Sequence, residues 1–405
     1  MKVEAASLSQ LRTRTSEKWR EYPDHVLPLF VAELDVALAE PIAQALQDAI
    51  ARSDTGYAAR DTELPEAFAS FAAARWNWSV DPARVSSTAD ISMVIVESLR
   101  LAIKPGDAVV LNPPVYAPFF DLIPEAGGRV IEVPLREPAA GDGAAGGGAD
   151  GAWSLDLDGL QRAFADGARA YLLCNPHNPL GLVHSADELR AVAELAERYD
   201  VTVISDEVHG PLTHLSSPSA GLATGSTLTP PVFTPFLSVS DAAREHGIAA
   251  ASASKAWNVA GLKCALFVTA SDRMTRLLAA LPEEVHFRTG IFGRIANAAA
   301  FGHGGQWLDG LLRLIEGNRS LLTRLLTEHL PEVGYREPQA SYLAWLDFRA
   351  LGWGDNPSSR ALRAAGVALT SGPAFGAQGR GFARLNFGCS PEVLTDAVGR
   401  LAAAR

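Results

Sequence analysis

The sequence predicts an α/β fold, with a mostly parallel sheet flanked by helices on both faces and a smaller α+β domain beside it. Three observations carry that expectation. Short aliphatic and β-branched runs alternate with helical periodicity between residues 108 and 251. The runs stop at proline or at polar breakers. Polar motifs cluster directly after them, at the carboxyl edge of one sheet, where open α/β sheets bind their ligands.

Each element has its own signal. Ala108–Leu111 (AVVL) is a strand cut off by Asn112-Pro113-Pro114, and Ala170–Cys174 (AYLLC) is another, ending at Asn175-Pro176. Residues 185–199 carry Leu189, Val192, Leu195 and Ala196 on one helical face with charges opposite. Ser185 is placed to cap that helix, with Glu188 three residues on completing a capping box. Residues 201–204 (VTVI) and Gly247–Ala251 (GIAAA) supply two further strands. Residues 307–330 read as a long helix, and residues 341–347 and 382–388 alternate as half-exposed strands. This organisation predicts a large domain over residues 46–285 and a small one built from residues 1–45 and 286–405. Two Gly-, Ala- and Pro-rich tracts, 137–151 and 216–231, are too poor in apolar side chains to pack and read as mobile surface loops.

Composition excludes several classes of function. With 405 residues, 48% of them hydrophobic, the chain can bury a large core. Its formal net charge of -11 argues against nucleic acid as a partner, because such proteins present a basic face. No stretch approaches the roughly 18 apolar residues of a membrane span. Residues 1–20 contain no apolar signal core. Cys174, Cys264 and Cys389 are widely separated in apolar surroundings, without metal-site spacing, so no metal is expected and a cytoplasmic location is. Cys174 reads as a core cysteine, with a reactive thiol as the alternative.

The chemistry lies in three motifs: Ser252 to Lys263, Ser205-Asp206-Glu207-Val208-His209, and Asn175 to Gly181. Lys255 follows a serine-rich turn and precedes small residues, which suits an amine that forms a Schiff base with an aldehyde cofactor. Asp206, at a buried strand end, suits the carboxylate that keeps a pyridine nitrogen protonated; a capping or solvated aspartate is the alternative. Together these motifs suggest pyridoxal 5'-phosphate (PLP). Asn178 and His209 can then hydrogen-bond the phenolic oxygen, or be an Asx turn and a structural histidine. Backbone amides of Ile91 and Ser92 at a helix start, the Ser252 hydroxyl and the Lys263 ammonium can hold a phosphate, although Lys263 also fits a surface position. Tyr116 sits on a stiff proline loop and can stack on a ring or serve as a rim aromatic. Arg384 stands in an apolar strand and needs an anionic partner, either a substrate carboxylate or an internal salt bridge.

With these residues the chain resembles the class I/II aminotransferase-like, fold-type I PLP enzymes, and within them the MalY/PatB branch of cystathionine β-lyases and C–S lyases. The resemblance runs from Leu27-Pro28-Leu29-Phe30-Val31-Ala32-Glu33-Leu34-Asp35 to Arg384-Leu385-Asn386-Phe387-Gly388-Cys389, and includes Asn112 to Phe120. His177, and His209 where aminotransferases usually carry tyrosine, are similar to the branch. It implies the aspartate aminotransferase fold with a seven-stranded sheet. It implies Lys255 as Schiff-base lysine and proton shuttle, Asp206 on the pyridine nitrogen, Asn178 and His209 at the phenolic oxygen, Tyr116 on the ring, Ser252 at the phosphate and Arg384 on the substrate carboxylate. Gly56-Tyr57 is similar to a pair whose tyrosine reaches the neighbouring subunit's phosphate, which implies a homodimer with shared sites. The implied activity is α,β-elimination from cystathionine or another S-substituted L-cysteine, giving a thiol, pyruvate and ammonia. An aminotransferase is the alternative, and a pyridoxal-binding regulator is a further rival. Four departures stand out: no glycine in Asp90-Ile91-Ser92, where Asp90 would repel a phosphate unless it points away; Glu33 in place of a common aspartate; lysine at 263; and what looks like an insertion at 216–231.

Overall fold

The structure, a computed structural model, describes residues 1–137, 153–215 and 230–405. The two tracts read as surface loops lie outside the described residues, apart from Glu137, Pro230 and Pro231. Seven strands form the larger sheet: β1 (Val85–Thr88), β2 (Ala108–Leu111), β3 (Arg129–Glu132), β4 (Ala170–Cys174), β5 (Thr202–Asp206), β6 (Gly247–Ala251) and β7 (Ala265–Val268). Their spatial order is β1-β7-β6-β5-β4-β2-β3. The five strands from β6 to β3 run parallel, while β7 is antiparallel to both β6 and β1. Every residue of β2, β4, β5 and β6 is buried, so these strands are near-continuous apolar runs covered on both faces.

Register aligns the functional edge. Cys174 pairs with Asp206, and Asp206 with Ala250, so β4, β5 and β6 end level with one another. The loops after them therefore open side by side. Helix α1 (Ile91–Ala102) follows β1, and α2 (Ala186–Tyr199) joins β4 to β5. The expected capping box is present on α2: the Ser185 hydroxyl accepts from the Glu188 amide at 3.2 Å and Glu188 Oε2 accepts from the Ser185 amide at 3.0 Å.

The long helix expected near residues 307–330 spans Gly305–His329. It lies in the half of the chain that carries a second, four-stranded antiparallel sheet of β8 (Gly334–Tyr335), β9 (Leu343–Asp347), β10 (Thr370–Ser371) and β11 (Phe382–Asn386), ordered β10-β11-β9-β8. Trp345 and Phe382 stack with ring centroids 5.2 Å apart on this sheet. Near the N-terminus, Leu27–Pro28 pairs in parallel with Val367–Ala368.

The N-terminal segment is anchored by a fully buried ion pair. Lys18 Nζ lies 2.8 Å from Asp35 Oδ1, and both residues are 1% exposed. Lys18 also donates to the Glu33 carbonyl at 3.1 Å. Removing one member of such a pair strands the other charge without solvent. Lys18→Met should therefore lower stability by about 3–5 kcal/mol, read as a shift of the urea midpoint. Lys18→Met combined with Asp35→Leu should recover most of the loss. A single variant as stable as the parent would contradict this account.

Candidate active site

Residues 29–35 form an irregular strap whose ends keep backbone partners, Leu29 with Ala368 and Asn386 and Asp35 with Gly388 and Ala6, while the groups between them have few. Side chains from both sides satisfy most of the rest. Asn386 Nδ2 donates to the Val31 carbonyl at 2.6 Å and the Glu33 carbonyl at 2.7 Å. Asn258 takes the Leu34 amide and gives to the Leu34 carbonyl, each at 2.9 Å. Thr370 Oγ1 and Arg384 Nη2 donate to the Phe30 carbonyl at 2.7 and 3.0 Å. The Ala32 carbonyl accepts from Tyr342 Oη at 3.0 Å and from Lys255 Nζ at 3.2 Å. The strap thus brings Lys255, Arg384 and Tyr342 to one place.

Around it the loops of the large sheet contribute their polar side chains. Asp206 ends β5, buried, with Oδ1 accepting from the Val208 amide at 3.2 Å. Burial pushes its carboxyl up to about 6, against the pull of that N–H and of the Lys255 charge. Lys255 moves the opposite way, to about 8: burial disfavours the ammonium and the Arg384 charge adds to this, while Glu33 and Asp206 oppose it. Arg384 is itself lowered to about 10 by burial. Tyr116, partly exposed on the loop after β2, is raised by burial and then by the Asp206 charge. Its ring meets Phe119 edge-on at 5.6 Å.

Histidines lock the loops together. His177 Nε2 donates to the Pro114 carbonyl at 2.9 Å, tying the Asn178 loop to the Tyr116 loop. His184 Nε2 donates to the Cys174 carbonyl at 3.2 Å. Burial lowers His177 to about 3, His184 to about 4 and His209 to about 3, so all three are neutral at physiological pH. His209 Nδ1 is buried without a hydrogen bond among the described residues.

Arg384 satisfies the cost argument in an unexpected way. Its partners are neutral oxygens, namely Asn178 Oδ1 at 3.0 Å, the Phe30 carbonyl at 3.0 Å and Thr370 Oγ1 at 3.2 Å. The internal salt bridge entertained from sequence is absent among the described residues, and Arg384 Nε is buried without a hydrogen bond. The guanidinium also lies over the Phe375 ring at 5.1 Å.

The remaining sequence candidates fall in three positions. Ile91 and Ser92 open α1 behind the N-cap Asp90, whose Oδ1 accepts from the Met93 amide at 3.0 Å. Lys263 Nζ pairs with Asp90 Oδ2 at 2.9 Å. Ser252 is buried, donating to the Cys264 carbonyl at 2.7 Å and accepting from the Ser254 amide at 3.0 Å. Tyr57 is not drawn into the cluster: it is 86% exposed and its ring meets Phe287, itself 43% exposed. Tyr342, Thr370 and the pair Asn258 and Asn386 were not singled out from sequence. Both asparagines lie inside quoted motifs, but nothing local signals that they bind residues some 200 to 350 positions away. No group of metal-ligating side chains occurs among the described residues, and no helix there is long and apolar enough to cross a membrane.

The architecture is that of the aspartate aminotransferase-like enzymes: a solved Corynebacterium diphtheriae structure, provisionally named a PLP-dependent β-cystathionase, superposes with a TM-score of 0.88 at 31% identity, covering 99% of this chain and 98% of that one. The chain belongs to the aminotransferase class I and II family, whose model matches residues 24–401. It is 45% identical to a Mycobacterium tuberculosis protein provisionally named a cystathionine β-lyase, over 98% of this chain and 97% of that protein. It is also 33% identical to the cystathionine β-lyase PatB of Bacillus subtilis, over 93% and 92% of the two chains.

The electrostatics can be tested directly. The neutral amine is the form that reacts with acylating reagents, so modification of Lys255 in cofactor-stripped protein should rise with pH and level off above about 8. Arg384→Met removes a neighbouring positive charge and should move that midpoint upward. A Lys255 midpoint at the ordinary value of 10.5 would refute the assignment.

Proposed function

We propose that this protein is a PLP-dependent carbon–sulfur β-lyase that cleaves cystathionine or another S-substituted L-cysteine, with water, into a thiol, pyruvate and ammonia. The carrying observation is the amine of Lys255, its pKa drawn to about 8, at the sheet edge that also presents Asp206. The donor set suits the cofactor. A buried carboxylate fits a pyridinium nitrogen, His209 Nδ1 and the Asn178 amide fit a phenolic oxygen, and the opening turn of α1 fits a phosphate. When bound, PLP supplies an aldehyde that links to amines and a ring that accepts the electron pair left at Cα.

The chain's own groups do the rest. Lys255 takes the proton from the substrate's Cα, which requires its neutral form. Burial and the Arg384 charge make that form accessible near neutral pH. Arg384 orients the substrate through its carboxylate, for which Nε has no competing partner among the described residues. Asp206 holds positive charge on the ring side, and Tyr116 limits ring movement from the loop after β2. Ser252 supports the turn that carries Lys255 through its two hydrogen bonds. Lys263, Ile91 and Ser92 serve the phosphate end.

The relatives' names favour elimination over the aminotransferase alternative. An assay separates them: purified protein with cystathionine, S-alkyl cysteines and bulkier conjugates should release thiol and keto acid without a 2-oxo acid. A strict need for that co-substrate would select the transaminase. Lys255→Ala should lower the rate by at least about a thousandfold while leaving the fold intact.

We further infer a homodimer in which Tyr57 reaches the partner's site, a reading supported by the exposure of the Tyr57 and Phe287 rings. Mixed dimers of Lys255→Ala and Tyr57→Ala protomers should then regain one competent site each and exceed either parent in activity. No gain on mixing, with subunit exchange verified, would exclude the shared site. The three cysteines are free and buried, in keeping with a reducing cytoplasm.

A further inference from the structure

We infer that Asp90 competes with the cofactor's phosphate for Lys263 and so keeps PLP exchangeable in this enzyme. The inference rests on the reading of the cleft as a PLP site.

The opening turn of α1 would normally be a purely attractive end for an anion, with free amides and the positive end of the helix dipole. Here its N-cap is a carboxylate. Asp90 has extended backbone at φ -162° and spends Oδ1 on the Met93 amide at 3.0 Å. Oδ2 lies 2.9 Å from Lys263 Nζ. The lysine reaches it from a left-handed residue, φ 59°, at the end of the short turn after Lys255. One cation and one helix amide that could serve a phosphate are therefore already held by an internal anion.

The pair's charges also reach the groups of the cleft. The Asp90 charge contributes to raising Tyr116, and the Lys263 charge contributes to lowering Lys255. Nor does Ser252 replace the missing cation, because its hydroxyl proton is directed to the Cys264 carbonyl. A phosphate dianion arriving at Ile91 and Ser92 meets a site whose local charge sums to zero, and it must share Lys263 with Asp90. Both effects weaken the hold on the phosphate without touching the covalent chemistry at Lys255.

The substitution Asp90→Asn separates these functions. Asparagine caps a helix as well as aspartate, so the Met93 bond persists while the charge is lost. Cofactor-stripped wild type, Asp90→Asn, Lys263→Met and the double variant would be titrated with PLP and with pyridoxal, which lacks the phosphate, following protein fluorescence and the absorbance of the bound vitamer. Asp90→Asn should bind PLP about tenfold more tightly, with slower release, and bind pyridoxal unchanged. In the Lys263→Met background the gain should fall to about threefold or less, because the contested cation is gone. Asp90→Ser, which also caps without charge, should reproduce Asp90→Asn and guards against a folding defect in either.

Equal or weaker PLP binding by both neutral variants overturns the inference, as does an equal gain with pyridoxal. Wild type that takes up no PLP onto Lys255, judged by borohydride fixation, would instead overturn the cofactor reading itself.

Discussion

The strap at residues 29–35 is the constraint on which the site depends. Its ends hold backbone bonds at Leu29 and Asp35, but between them most polar groups must find a side chain or incur a desolvation cost of about 1–3 kcal/mol. The solution uses Asn258 from the large-sheet side, Asn386, Arg384, Thr370 and Tyr342 from the small-sheet side, and Lys18 from the N-terminal segment. Arg384, one of these donors, and Lys255, which donates to the Ala32 carbonyl, are also the cations of the cleft. Fold and chemistry therefore share hydrogen bonds: the Ala32 carbonyl that holds the strap to Tyr342 also receives the amine of Lys255.

Burial then sets protonation. Lys255 and Arg384 are both desolvated, and the Arg384 charge adds to the effect at Lys255, so both become weaker bases, while desolvation makes Asp206 a weaker acid. The nearby histidines follow the same rule and stay neutral. Glu33 tempers the effect at Lys255; its own Oε2 accepts from Ser16 at 2.8 Å, which fixes the carboxylate on the strap. A strap that carries both a lysine acceptor and a fixed carboxylate tunes the amine as well as positioning it.

The sequence was most informative where burial is complete. Strands β2, β4 and β6 are legible end to end because, covered on both faces, they must be aliphatic throughout, and the residues just past β4, β5 and β6 follow as site candidates. The edge strands were not legible: Val85–Thr88 has one apolar residue in four, and Arg129–Glu132 carries a charged residue at each end. Nor could composition reveal that Ala265–Val268 inserts antiparallel between β6 and β1, since direction leaves no trace in an apolar run of four. Arg384 was half legible. Its burial demanded partners, yet three neutral oxygens from distant segments meet most of that demand, and sequence separation hides them.

What those oxygens leave undone links stability to function. Arg384 Nε and His209 Nδ1 are buried polar atoms with no bond among the described residues, each carrying a penalty of about 1–3 kcal/mol. An apolar residue at 209 would relieve the histidine's share, whereas Arg384 also holds Phe30, Asn178 and Thr370, so only its Nε is left without a use in the fold. A ligand that accepts from the guanidinium and engages the imidazole removes both penalties at once and stabilises the folded state by mass action. On the proposed reading, the first would meet the carboxylate end of an amino acid and the second the cofactor's ring oxygen. Two unsatisfied groups beside one amine would, on that reading, favour a ligand that offers an acceptor to each, a stronger constraint than the amine alone could impose.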